Sequence, residues 1–392
     1  MKPRTRLVHP RSAPPPADNR PLVAPIYQSV KFTHDTLEAT EGVWRHKTPG
    51  YSYSREQNPS LRELELALAD LQGTDEALVV ASGMAAVSVT LLGLLKAGDH
   101  VLLFLDNYLP TRQFVKQILG RFGVTHALVP IDDPAAIERA VAERPPTLIW
   151  FENPTNPLLK VADGAHLRQV ADTAGALLVL DNTFAGPHQG HGSGVDLYVH
   201  SLTKSAAGHG DVMGGLIAGP KALIDRLRPT ASLVGATLDP HAAFLIQRGL
   251  KTYFLRREAM VRSAERVATY LASHPAVARV HYPGLASHPR HDLARAQFED
   301  FGTVVTIDLR GSEANLRAFT DALTCFSVAA SLGSADSLIV PAQLLGTQGL
   351  SRADAERLGL TATTARLSIG LEDAEDLVSD LARALAIASA TQ

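Results

Sequence analysis

The sequence predicts an α/β fold with a mostly parallel central sheet covered by helices on both faces, followed by a smaller α+β segment. Three observations predict it. Short, β-prone apolar runs alternate with helical stretches, giving strands at Ala77–Ala81, Val101–Leu105, Thr125–Val129, Leu148–Phe151, Leu177–Leu180, Leu197–His200 and Gly215–Ala218. Unbroken apolar strands of this kind are what a sheet buried on both faces requires. The runs ending at Leu180 and His200 are followed by polar residues suited to chemistry, and in such sheets ligands gather at the carboxyl ends of the strands. Near Lys251 the alternation stops, and a long helix leads into a different pattern.

Along the chain, residues 1–60 have no clear period. Pro21, Pro25, Pro49 and Pro59 punctuate them, with Tyr27, Phe32, Trp44, Tyr51 and Tyr53 between. An aromatic arm with little core of its own is expected to pack on another subunit, and residues 1–18 are expected to form a disordered tail. That tail is basic, but it lacks an apolar core region, and its prolines oppose an amphipathic targeting helix. Leu61–Leu71 reads as an amphipathic helix with Ser60 as N-cap, Glu63 completing a capping box and Gly73 as the stop. Ala77–Leu95 carries no charge over a nearly membrane-spanning length, but Ser82, Gly83 and Ser88 divide it into a strand, a turn and a buried helix Met84–Leu95. Further helices are read at Pro110–Arg121, Pro134–Glu143 and Gly164–Thr173. The passage from Leu197 to Gly215 without a long helix predicts one locally different strand connection. After Lys251 come helix Tyr253–Ser273, strands Val277–His281 and Thr303–Leu309, helix Glu313–Leu323, strand Ala365–Ile369 and helix Ala374–Ile387. The expected division is an arm (1–60), a large α/β domain (61–250) and a C-terminal α+β domain (251–392).

The 392 residues are 45% hydrophobic and 20% charged, an ordinary globular composition. The formal net charge of −3 supplies no field for nucleic acid. Cys325 is the only cysteine, so no intrachain disulfide forms and a reducing, cytoplasmic setting is expected.

The chemistry centres on Lys204. Asp181 ends one apolar run, and His200-Ser201-Leu202-Thr203-Lys204 ends another, so a carboxylate, two hydroxyls and an amine should meet in one crevice. That set suits pyridoxal 5'-phosphate. Lysine must be partly neutral to attack an aldehyde, which desolvation or a nearby cation achieves. Asp181 can hold the pyridine nitrogen protonated, and Ser201 and Thr203 can donate to the phosphate. The plainer alternative is a strand-end aspartate capping a helix beside a solvated lysine. Ser82-Gly83-Met84 lies where a helix N-terminus can face an anion. Tyr108 can stack on a planar ring or simply pack under its loop. Asn156, in Glu152-Asn153-Pro154-Thr155-Asn156-Pro157, is either a ligand of the cofactor or substrate or part of an Asn-Pro turn. Arg366 can clamp a carboxylate or form a surface ion pair. Gly208-His209-Gly210-Asp211 is a poor dinucleotide fingerprint, and His288 and His291 lack a third metal ligand.

Together these motifs resemble the Cys/Met-metabolism family of pyridoxal-phosphate enzymes, the trans-sulfuration enzymes. The resemblance runs from Pro25 to Glu372. It includes Tyr53-Ser54-Arg55-x-x-Asn58-Pro59, Ser82-Gly83-Met84, Asp181-Asn182-Thr183, Ser201-x-Thr203-Lys204, Tyr282-Pro283-Gly284-Leu285, Ser331-Leu332-Gly333 and Arg366-Leu367-Ser368-Ile369-Gly370. It implies fold type I, the aspartate-aminotransferase-like architecture, and a homotetramer of catalytic dimers. Tyr53 and Arg55 would reach the neighbouring subunit's phosphate. Lys204 would be the Schiff-base lysine, Asp181 the pyridine-nitrogen partner and Tyr108 the stacking tyrosine. Gly83, Met84, Ser201 and Thr203 would form the phosphate cup, and Asn156, Ser331 and Arg366 would hold the carboxylate of a small sulfur amino acid. Ala330 stands where members working at Cγ often carry a glutamate. Leu109-Pro110 replaces the Gly-Gly of many γ-synthases, and Tyr108-x-Pro110-Thr111-x-x-Phe114 looks more like cystathionine β-lyases. Leu332, where β-lyases can carry tryptophan, points the other way. The resemblance thus implies cystathionine β-lyase, with γ-synthase or γ-lyase as the alternative within the family and, from another class, a catalytically silent, family-shaped binding or structural protein as the distant alternative.

Overall fold

A computed structural model describes residues 19–190, 193–346 and 352–390. The expected disordered tail, residues 1–18, lies outside the described residues.

The arm carries one helix, α1 (Leu37–Trp44), which buries none of its side chains. Leu22, Tyr27, Val30 and Trp44 are likewise exposed. Helix α2 (Pro59–Gln72) corrects the expected cap. Asn58, not Ser60, is the N-cap, and its side chain accepts the Ser60 N–H at 2.9 Å. Pro59 then occupies the first helical turn, where a missing N–H costs nothing, and the Ser60 hydroxyl accepts Tyr27 N–H at 3.0 Å instead. Gly73 ends the helix at φ 68°, as expected.

The large sheet follows: β1 (Glu76–Val80), α3 (Gly83–Leu94), β2 (His100–Phe104), α4 (Leu109–Gln113), β3 (Thr125–Val129), α5 (Pro134–Glu143), β4 (Leu148–Glu152), α6 (Gly164–Ala174), β5 (Leu177–Asp181), β6 (Leu197–Ser201) and β7 (Gly215–Gly219). The continuous helix expected over 110–121 is broken. After α4 the backbone widens into a π-turn at Phe114–Ile118 and tightens into a 3-10 turn at Leu119–Phe122, closed by Gly123 at φ 82°. Strand order is β1-β7-β6-β5-β4-β2-β3. Only β7 runs against its neighbours, which is the locally different connection that the short Leu197–Gly215 spacing predicts. Successive strand residues point to opposite faces, and both faces are packed. Leu102, Phe104, Ile149 and Phe151 join the core beneath α2 and α6. Val101, Leu103, Leu148 and Trp150 join the core beneath α3.

Two helices not named from the sequence, α7 (Lys221–Leu233) and α8 (Pro240–Leu250), return the chain across the sheet; α7 tolerates Pro229 in its interior. Helix α9 (Tyr253–Ser273) leads to β8 (Val277–His281), α10 (His291–Gln297), β9 (Val304–Leu309), α11 (Glu313–Ala322), β10 (Ser327–Val328), β11 (Leu338–Pro341), α12 (Gln343–Gly346), α13 (Arg352–Leu358), β12 (Thr364–Ser368) and α14 (Ala374–Ala390). The second sheet has the order β10-β11-β12-β9-β8 and its own core around Phe319, Ile307, Leu367 and Leu381. This is the α/β plus smaller α+β architecture of fold type I. Among the described residues no helix is long and apolar enough to cross a membrane, and no group of three His, Cys, Asp or Glu side chains is placed to hold a metal.

Candidate active site

A cleft of about 430 Å³ opens where the carboxyl ends of the parallel strands face the second sheet. Each strand delivers its last residues to it. β1 passes through Ser82 to the N-terminus of α3, the turn after β2 presents Tyr108, β4 ends in Glu152, β5 in Asp181 and β6 in Ser201, with Thr203 and Lys204 just beyond. Asn156 comes from the loop after β4. Ser331 and Arg366 come from the second sheet's side, Arg366 at the middle of β12 between Thr306 and Val340.

The Lys204 ammonium donates to Ser331 Oγ at 2.9 Å. Arg366, only 4% exposed, donates through Nη1 to Asn156 Oδ1 and through Nη2 to the Ser331 carbonyl, both at 2.8 Å. Its buried Nε–H has no partner among the described residues. Burial, then the Arg366 charge, holds Lys204 below the ordinary lysine value. Burial also lowers Arg366 to about 10. These residues, far apart in sequence, therefore form one connected set.

On the floor, Thr183 donates its amide (3.2 Å) and hydroxyl (2.6 Å) to Asp181 Oδ1 and accepts Ser201 N–H at 2.9 Å. Burial raises Asp181 to about 6 against these two bonds. Tyr108 is 41% exposed over the cleft. Burial, then Glu152 and Asp181, raises its phenol. Helix α3 is capped by Ser82, whose side chain accepts Ala85 N–H. Its first residue, Gly83, packs so closely that an added Cβ would lie 2.7 Å from Ser201 Cβ. Only glycine lets the helix N-terminus and Ser201 share this corner. The Thr203 hydroxyl exchanges hydrogen bonds with the Gly214 backbone at 3.1 and 3.4 Å.

A family model described as Cys/Met metabolism PLP-dependent enzyme matches residues 4–386. The chain belongs to that family. It is 39% identical to L-methionine gamma-lyase of Pseudomonas putida, over 97% of this chain and 96% of the relative. It is 35% identical to cystathionine beta-lyase of Lactococcus lactis, over 92% and 93%. The fold matches a solved cystathionine gamma-synthase from Xanthomonas oryzae, in complex with cystathionine, with TM-score 0.89 and 34% identity over 94% of both chains. The protein is therefore a pyridoxal-phosphate-dependent trans-sulfuration family enzyme.

The cleft of this Cys/Met-metabolism enzyme fits the cofactor on its own chemistry. Its volume lies in the usual range for small-molecule sites. A half-buried lysine with a disfavoured charge and a half-buried carboxylate line the same cleft, and a glycine-opened helix N-terminus supplies unpaired N–H groups for an anion. Of the residues singled out from the sequence, Gly83, Met84, Tyr108, Asn156, Asp181, Ser201, Thr203, Lys204, Ser331 and Arg366 all line it. Tyr53 and Arg55 do not. They pair with each other on the surface, the guanidinium 4.9 Å from the ring centroid. Thr183, Phe184, Met213 and the carboxyl of Glu152 also line the cleft, though sequence reasoning gives them no task. The Asp-x-Thr spacing at a strand end is the available signal for Thr183. Nothing local marks Met213 or Phe184, which reach the cleft only through the fold.

Proposed function

We propose that this enzyme is a carbon–sulfur lyase of sulfur amino acids, acting as a cystathionine β-lyase that yields homocysteine, pyruvate and ammonia. The observation that carries this reading is the hydrogen-bonded set Lys204–Ser331–Arg366–Asn156 facing Asp181 across one cleft. In it, Lys204 is the lysine that holds the cofactor and the base for the Cα proton. Asp181 keeps the ring nitrogen protonated, Tyr108 covers the ring, and Gly83, Met84, Ser201 and Thr203 receive the phosphate. Arg366 binds the substrate carboxylate with its guanidinium, assisted by Asn156 and Ser331. Bound pyridoxal phosphate would supply the sink for the electron pair left at Cα. Lys204 takes the proton, the Cβ–S bond breaks with its electron pair leaving on sulfur as the homocysteine thiolate, which then takes up a proton, and water hydrolyses the remaining three-carbon fragment to pyruvate and ammonia.

One observation favours cleavage at Cβ over Cγ: Ala330 lines the cleft where a carboxylate would assist chemistry at Cγ, and it offers none. The alternative of γ-lyase or γ-synthase chemistry is favoured by the 39% identity to a methionine gamma-lyase.

The reading extends to a homotetramer of catalytic dimers, in which the exposed arm brings Tyr53 and Arg55 to a neighbouring copy's phosphate. It includes a large cofactor-holding domain over 61–250, a C-terminal domain over 251–392 and, from the single Cys325, a cytoplasmic location. Product analysis with cystathionine tests it: pyruvate supports the β-lyase, 2-oxobutyrate replaces it with γ-cleavage, and neither product refutes both and points to γ-replacement on an activated homoserine.

A further inference from the structure

Among the described residues lining the cleft, five side chains can carry charge: Tyr108, Glu152, Asp181, Lys204 and Arg366. The reading above employs all but Glu152. This residue ends β4 directly opposite Asp181 on β5. Side chains at paired positions of neighbouring strands, about 4.8 Å apart, leave the sheet on the same face. Glu152 is 4% exposed, and its Oε1 accepts the backbone N–H of Tyr108. The charged groups facing it are Asp181 from β5, and Asp106 and Arg112 from the segment after β2.

Two carboxyls leaving neighbouring strands on the same face of a cleft disfavour each other's ionisation, so one of them keeps its proton over a wider pH range. Which one is decided by the donors around each. Asp181 receives both the amide and the hydroxyl of Thr183, and hydrogen bonds of that kind stabilise an anion. We propose that Glu152 is a positioning residue that fixes the Tyr108 backbone at the cleft and, as the neutral member of a carboxyl pair, leaves the negative charge on Asp181. Burial and the Asp181 charge raise Glu152 well above the ordinary carboxylate range, in the same sense. The proposal rests on the cofactor site assigned above.

The test uses the full-length protein loaded with pyridoxal phosphate and reads two quantities: the dissociation constant of the cofactor, and the pH midpoint of its visible absorption band. Glu152→Gln copies a neutral carboxyl. Its midpoint is expected within about half a pH unit of wild type. Had Glu152 been ionised, removing its charge from beside the site would move the midpoint by about 1 pH unit or more. Glu152→Ala removes the acceptor for Tyr108 N–H and is expected to weaken cofactor binding at least fivefold, with affinity restored in Glu152→Gln. A midpoint displaced by more than half a pH unit in Glu152→Gln overturns the proposal, as does Glu152→Ala binding less than fivefold weaker. Should Glu152→Ala not fold, the Glu152→Gln midpoint decides. Wild-type protein that takes up no cofactor overturns the site assignment itself, and this inference with it.

Discussion

Replacing Asp181 with asparagine should make the cofactor-free protein more stable and the loaded protein less competent. Burial raises this carboxyl from an ordinary value of 3.8 to about 6. A native acid with a raised value binds its proton more tightly than the unfolded chain does. Stability is therefore highest below about pH 4, is lost as pH rises towards 6, and stays low beyond. A rise of that size corresponds to about 3 kcal/mol at pH 7.5, and about half of that at pH 5. Asparagine keeps the oxygen that accepts the two Thr183 bonds but never ionises. For a chain of this length, about 3 kcal/mol raises the melting temperature by about 4 °C. Differential scanning fluorimetry of cofactor-free wild type and Asp181→Asn at pH 5 and 7.5 is the assay. The variant's advantage should be largest at pH 7.5. In the loaded state the same change removes a charge-assisted partner worth about 1.5–3 kcal/mol, so cofactor affinity should fall roughly 10- to 150-fold. A variant no more stable than wild type at pH 7.5, or an advantage that does not grow between the two pH values, would refute the reasoning.

Three other outcomes are expected. Lys204→Ala should abolish turnover and the visible absorption of the joined cofactor; a retained band would move the covalent role elsewhere. Arg366→Lys keeps the charge but cannot hold Asn156 and Ser331 in a fork while facing a carboxylate, so KM should rise about 10- to 100-fold with a smaller change in kcat, measured by steady-state kinetics. Gly83→Ala places a methyl 2.7 Å from Ser201 Cβ. It should cost about 1–3 kcal/mol by thermal unfolding and weaken cofactor binding measured by titration.

Much of this is legible in the sequence because the relevant physics is local. Apolar runs such as Leu148–Phe151 must be buried strands, Gly73 must end a helix, and the polar residues after Leu180 and Val199 must sit at strand ends. The cap of α2 is not legible, because Ser60 and Asn58 are both competent caps. The choice falls to Asn58 once the arm's Tyr27 N–H claims the serine hydroxyl, a contact across 33 residues. The break after α4 is hidden as well: nothing in Phe114–Ile118 departs from helical composition, and Val115 and Leu119 are buried in the core shared with α3, as they would be on a regular helix.

The sequence by itself determined the α/β order, the family, and the residue types needed to hold a phosphorylated ring and a carboxylate, because strand period, glycine stops and motif spacing act between near neighbours. Only the tertiary structure decided that Arg366 reaches Asn156 across 210 positions, that Lys204 is desolvated beside it, and that Glu152 lies against Asp181. Those are consequences of sheet order and burial, and charge in a cleft depends on which groups the fold brings within a few ångströms and how little water it leaves between them.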